Sequence, residues 1–409
     1  MIRRAWAGIV VVLTLACTAR APTIAPAQPP SASVSAARRG PTATTVATLR
    51  DSVRALLDLA RADSAFPGAF AVIGTGGAIL VEYGVGSLDW APSPHPDENT
   101  LWDMASLTKV VGMTTAMMQL TEAGKVDLDA PVQRYVREFQ GPNKERVTVR
   151  QLLTHSSGLP AWRPLYKETD TPDAARALAI ATALDTLPGI RMVYSDLGAI
   201  ILGQIVERVS GEHLDDYLTR HVFVPLGMTS TRYRPGADLL PRIAPTEYDP
   251  WRQRKIRGEV HDENAFSLGG VSGHAGLFST GHDVARLTRM YLHGGTLDGV
   301  RIVSPETIRR FTTVQDSTMS NRALGWETPN GSHSAGHLMK RPAFGHTGFT
   351  GTSIWVDPSR DLFVVLLTNR VNPTRQNVRI NGVRSALADV VVRVFDRGVP
   401  SPPTPTSPR

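Results

Sequence analysis

The stretch Met104-Ala105-Ser106-Leu107-Thr108-Lys109 puts a hydroxyl and an amine three residues apart at the head of an apolar segment. Val110, Val111, Gly112, Met113, Thr114, Thr115, Ala116, Met117 and Met118 follow with almost no polar face, which predicts a helix buried on every side. Lys109 is thereby carried into the interior. Residues at i and i+3 share a helix face, so Ser106 Oγ and Lys109 Nζ come within hydrogen-bond reach. Desolvation penalises an ammonium, and the expectation is a neutral amine able to take the serine proton. The N–H groups and dipole of the first turn favour the negative charge that develops in acyl transfer. A capping serine beside a snorkelling lysine is the bland alternative. Only six of the 44 basic residues are lysines, and only Lys109 has a serine three residues before it. An arginine cannot be deprotonated in a protein, so a lysine kept here by an arginine-rich chain fits a base.

Working outward, Ala69 to Ile73 and Ala78 to Gly86 are β-rich runs around Gly74-Thr75-Gly76-Gly77, which predicts a hairpin. Strand-like sequence returns at Gly351 to Val356 and Leu362 to Thr368, with Asp357-Pro358-Ser359-Arg360-Asp361 as a turn. Between about residue 100 and 320 most segments read as helices and loops. Leu49, Val53, Leu56, Leu57 and Leu59 predict an amphipathic helix from Val46 to about Ala62, and Asn381 to Arg397 predicts a second. The expectation is one sheet built from N- and C-terminal parts, with a mainly α region inserted and a substrate cleft between them.

The ends read differently. Arg3 and Arg4 precede an apolar run from Ile9 to Ala16 that is too short to span a bilayer, so residues 1–17 read as an export signal. Cys17 is the single cysteine, and Thr14-Leu15-Ala16-Cys17 resembles a lipoprotein processing box; Ala25-Pro26-Ala27 offers an ordinary cleavage site instead. Residues 18–45 and 398–409, rich in Pro, Ala, Ser and Thr, have little to bury and read as a tether and a tail around a domain at 46–397. The expected setting is periplasmic, with a lipid anchor at Cys17 as the membrane contact. The net charge of +7 is spread without a basic run interleaved with aromatics, so no nucleic-acid partner is expected.

Three further stretches bear on chemistry. Tyr194-Ser195-Asp196 precedes an apolar helix from Leu197 to Val209, which Ser195 or Asp196 could cap. Tyr194 lies outside that helix, and a phenol held near a cation can transfer a proton. His346-Thr347-Gly348-Phe349 leads toward the strand near Gly351, and the glycines at 345, 348 and 351 suit close backbone approach at a sheet edge or an ordinary bend. Gly269 to Gly276 reads as tight loop geometry beside the cleft. With no H-E-x-x-H and no cysteine pair, neither a metal nor another cofactor is expected.

Together Ser106-Leu107-Thr108-Lys109, Tyr194-Ser195-Asp196 and His346-Thr347-Gly348 resemble, in the same chain order, the S-x-x-K, Y-x-N and K-T-G or H-T-G motifs of the serine β-lactamase and penicillin-binding-protein superfamily, on its class C side. The likeness extends through Leu152-Leu153-Thr154-His155-Ser156-Ser157-Gly158, Pro225-Leu226-Gly227-Met228, His261-Asp262-Glu263-Asn264 and Gly276-Leu277-Phe278-Ser279. It implies an α+β fold, an antiparallel sheet flanked by helices with an all-α region beside it. It also implies Ser106 as the acylated nucleophile, with Lys109 and Tyr194 handling protons. The N–H groups of Ser106 and Phe349 would stabilise the oxyanion, and His346, Thr347, Gly348 and Asp196 would meet substrate. Asp196 departs from the usual Asn, and His346 from the Lys of typical β-lactamases. An unperturbed histidine, with a pKa near ~6.5, would gain charge as the pH falls. The expected function is a serine hydrolase acting through an acyl-enzyme on a peptidoglycan-type peptide or a small ester; the alternatives are a β-lactamase and a catalytically silent cell-wall peptide-binding protein.

Overall fold

The computed structural model describes residues 40–330 and 334–398. The N-terminal strand Gly68–Gly74 pairs antiparallel with Ile79–Gly86 on one side and with the C-terminal strand Leu362–Thr368 on the other. Ser353–Asp357 and then Phe344–Thr347 complete a five-stranded sheet whose neighbours all run antiparallel. The sheet therefore joins the two ends of the chain, as the strand pattern predicted.

Both faces of this sheet are covered, which is why its central strands read as unbroken apolar runs. On one face Ala71, Ile73, Val364 and Leu366 pack against the helices Ala43–Ala62 and Ile380–Gly398. On the other, Phe70, Val72, Phe363, Val365 and Leu367 join the core of the helical region. The register sets Val72 opposite Val365 and Ala71 opposite Leu366, so a one-residue slip would exchange the two cores. Each fully buried side chain of this size contributes about 1.5–3 kcal/mol.

The first helix begins at Ala43, earlier than its apolar pattern indicated, because the Thr42 hydroxyl accepts the Thr45 N–H and caps it. Its buried stripe runs through Leu49, Val53, Leu57 and Ala60; Leu59, expected inside, is 65% exposed. Sequence also missed a short sheet in the inserted region, where Leu277–Ser279 pairs with Trp102–Asp103 and with Arg232–Tyr233. That sheet ties the glycine-dense loop to the segment before Ser106. The export signal, Cys17 and the tail beyond Gly398 lie outside the described residues. Among the described residues no helix is long and apolar enough to cross a membrane.

Candidate active site

Ser106 lies in a 3₁₀ turn, Ala105–Leu107, and Lys109 opens a π-helical turn, Lys109–Met113, before the α-helix Thr114–Glu122. The regular helix expected here is thus replaced by a tight turn and a wide one. In 3₁₀ geometry residues i and i+3 eclipse, and π-turns recur at functional sites. Ala105 sits at φ +46°, a left-handed conformation that a non-glycine residue adopts at a cost of about 1–3 kcal/mol. Buried Asp103 holds that bend, accepting the Ala105 N–H at 2.8 Å and the His261 N–H at 2.7 Å.

Lys109 Nζ donates to Ser106 Oγ at 2.9 Å and to the His274 carbonyl at 3.0 Å. Its third neighbour is Asp196 Oδ1 at 2.8 Å, close as an ion pair although not aligned as a hydrogen bond. This corrects the expectation of a neutral amine. Burial does push Lys109 toward losing its proton, but the Asp196 carboxylate and Tyr194 outweigh it and hold the pKa above the ordinary lysine value. Ser195 is the residue that caps the helix Asp196–Ser210, its Oγ accepting the Gly198 N–H at 3.2 Å, which leaves Asp196 free to face the lysine.

The Tyr194 ring centroid lies 5.0 Å from Lys109 Nζ, and its buried hydroxyl makes no well-aligned hydrogen bond. His346 and Thr347 end the edge strand Phe344–Thr347, a strand of their own that precedes the one expected near Gly351. Glu327 pairs with Gly345 and covers that part of the edge. A Cβ on Gly348 would fall 2.6 Å from the Met104 carbonyl, so glycine here lets the strand turn approach the nucleophile turn. The space the glycines leave is therefore filled by the chain itself. Arg384 Nη2 donates to the Gly348 and Thr352 carbonyls at 2.6 and 2.8 Å, and Arg370 Nε to the Phe349 carbonyl at 2.7 Å. The Phe349 N–H makes no hydrogen bond within this turn.

His346 is buried, and its pKa is held well below the usual histidine value by desolvation first and then by Arg322 and Lys109. The titration expected near neutral pH is thereby removed. Arg322, which carried no signal in sequence, lies 5.2 Å from the Tyr194 ring centroid. Its Nη1 is buried without a partner, and Nη2 reaches Glu327 only at 3.9 Å. The glycine-dense loop also proves more than a bend: Ser272 Oγ lies 2.8 Å from His274 Nδ1 and Asp262 Oδ1 lies 2.8 Å from its Nε2, and the His274 carbonyl holds Lys109. His155 stood inside a quoted motif and Asp103 in none, and only their long-range contacts reveal what they do. Among the described residues no His, Cys, Asp or Glu cluster could hold a metal ion.

A serine hydrogen-bonded to a buried lysine, beside a sheet edge and an orphaned phenol, has the groups that serine acyl transfer requires. The same fold occurs in a penicillin-binding protein homologue from Caulobacter crescentus (TM-score 0.69, 20% identity, 87% of this chain and 99% of that one). It occurs also in a family VIII carboxylesterase (TM-score 0.68, 24% identity, 87% and 99%). A class C β-lactamase solved with cefoxitin is similar too (TM-score 0.67, 20% identity, 84% and 99%). A Salmonella agona protein provisionally named a D-alanyl-D-alanine carboxypeptidase is 32% identical over 317 residues, covering 69% of this chain and 72% of its own. The β-lactamase family model matches residues 27–388. The chain belongs to the β-lactamase family, and it is a serine hydrolase.

Proposed function

We propose that this hydrolase acts as a D-alanyl-D-alanine carboxypeptidase-type enzyme, cleaving the terminal peptide bond of a peptidoglycan-type peptide through an acyl-enzyme. The observation that carries this reading is Arg322, a cation with a buried, unpartnered Nη1 that lies against the Tyr194 ring. A free C-terminal carboxylate is the charge such a guanidinium takes. The relative's provisional name agrees.

In this reading the reactive enzyme is the fraction whose Lys109–Tyr194 pair has already given up one proton: Ser106 Oγ attacks the acyl carbonyl as its own proton passes to that pair. The N–H groups of Ser106 and Phe349 receive the oxyanion. The C–N bond then breaks, the amine leaves with a proton from Tyr194, and water hydrolyses the ester on Ser106. His346 and Thr347 line the acyl donor along the sheet edge, and Asp196 sets the charge of Lys109. Export through residues 1–17, a tether ending before Ala43 and lipidation at Cys17 are part of the same proposal, supported by the basic pair, apolar run and processing box of the sequence. The test is release of D-alanine from a diacyl-Lys-D-Ala-D-Ala peptide, set beside p-nitrophenyl acetate and a cephalosporin. Better turnover of the cephalosporin than of the peptide would overturn the assignment in favour of a β-lactamase.

A further inference from the structure

The Tyr194 hydroxyl makes no well-aligned hydrogen bond, although Lys109 interacts with it, so its backbone and ring contacts carry much of its aim. Those backbone contacts converge on one short segment. The Val193 N–H donates to the His155 carbonyl at 2.8 Å, and the Ser195 N–H to His155 Nδ1 at 3.1 Å. Residue 155 thus grips the chain on both sides of Tyr194. Ser195 Oγ donates to the Pro160 carbonyl at 2.7 Å and the Asp196 N–H to the Ala161 carbonyl at 2.9 Å, closing the seam. The His155 ring lies 4.5 Å, centroid to centroid, from that of Tyr194.

We propose that His155 is a positioning residue for Tyr194, acting through the hydrogen bond its Nδ1 accepts from the Ser195 N–H; the proposal rests on the proton-transfer role given to Tyr194 above. His155 is 4% exposed and stands at φ +57°, a left-handed conformation uncommon outside glycine. Its burial first, then Arg322, Lys109 and His346, depress its pKa well below the ordinary value, so Nδ1 keeps the lone pair that the bond needs.

The test is p-nitrophenyl acetate turnover by the full chain and four variants. His155→Leu keeps bulk and loses the acceptor, and kcat should fall roughly 10–100-fold with KM within about threefold, as a displaced catalytic group predicts. His155→Asn places Oδ1 where Nδ1 stands and tolerates the positive φ, so it should recover kcat to within about fivefold of wild type. With Tyr194→Phe already present, adding His155→Leu should cost less than about twofold, because both changes remove one function. Equal losses from His155→Leu in the two backgrounds would overturn the proposal. So would a folded His155→Asn protein as impaired as Tyr194→Phe, and that arm stands even if His155→Leu fails to fold. Wild-type kcat in Tyr194→Phe alone would instead overturn the role of Tyr194.

Discussion

Lys109 Nζ stands 2.8 Å from Asp196 Oδ1, and this carboxylate leads, with Tyr194, in reversing the proton preference that burial would give the lysine. The raised pKa stabilises the fold below the ordinary lysine value, and that contribution is lost as the pH climbs through the folded one. It also means that a free amine appears only as the pH rises.

Asp196→Asn removes the opposing charge, so burial then lowers the Lys109 pKa. If acylation uses the free amine, the wild-type rate should keep climbing into alkaline pH. The variant's rise should begin lower by at least about one pH unit, the shift that ~1.4 kcal/mol of lost attraction produces. Acylation by p-nitrophenyl acetate across pH 6 to 10 measures this. Superimposable profiles would remove free Lys109 from the mechanism.

Ser106→Ala should abolish covalent labelling by a fluorophosphonate and by a fluorescent penicillin, with thermal stability retained, because only a hydroxyl is lost. Intact-mass spectrometry reads the adduct. An adduct that persists at the same site would refute Ser106 as nucleophile.

Arg322→Leu should raise KM for the D-Ala-D-Ala peptide by roughly 10–100-fold, the loss of a charge-assisted contact, and change p-nitrophenyl acetate little. Because a guanidinium does not titrate and His346 stays neutral, the wild-type KM for the peptide should be flat from pH 5.5 to 8.5. A KM that falls steeply toward pH 5.5 would return the carboxylate to His346.

The depressed pKa values of His155 and His346 make acid destabilising. Below about pH 6.5 the unfolded chain takes protons that the folded one refuses, so stability is lost as the pH falls. The drop in melting temperature between pH 7.5 and 5.0 should shrink in His155→Asn and in His346→Asn. An unchanged drop in both would show that these rings protonate freely in the fold.

Cys17→Ser should move the protein from the membrane fraction to the soluble fraction if Cys17 carries the lipid. Unchanged fractionation, with an N-terminus at Gln28, would instead place cleavage after Ala27.

What the sequence determined by itself is local. Ser106 and Lys109 lie one turn apart, so their contact follows from spacing. The apolar runs at Ala69 and Leu362 could belong only to buried strands, and Tyr194 stood out as a phenol outside the helix that follows it. Tertiary structure decided what depends on groups distant along the chain. The charge of Lys109 needed Asp196 turned toward it, which in turn needed Ser195 to take the helix cap. The lowered pKa of His346 comes first from its burial and then from Arg322 and Lys109, and Arg322 is there because its segment folds against Tyr194. Ala105 keeps its left-handed bend because Asp103 binds its N–H inside a sheet shared with Leu277–Ser279. Periodicity reports which face of an element is apolar; electrostatics depends on which charges meet after folding, and no one-dimensional pattern encodes that.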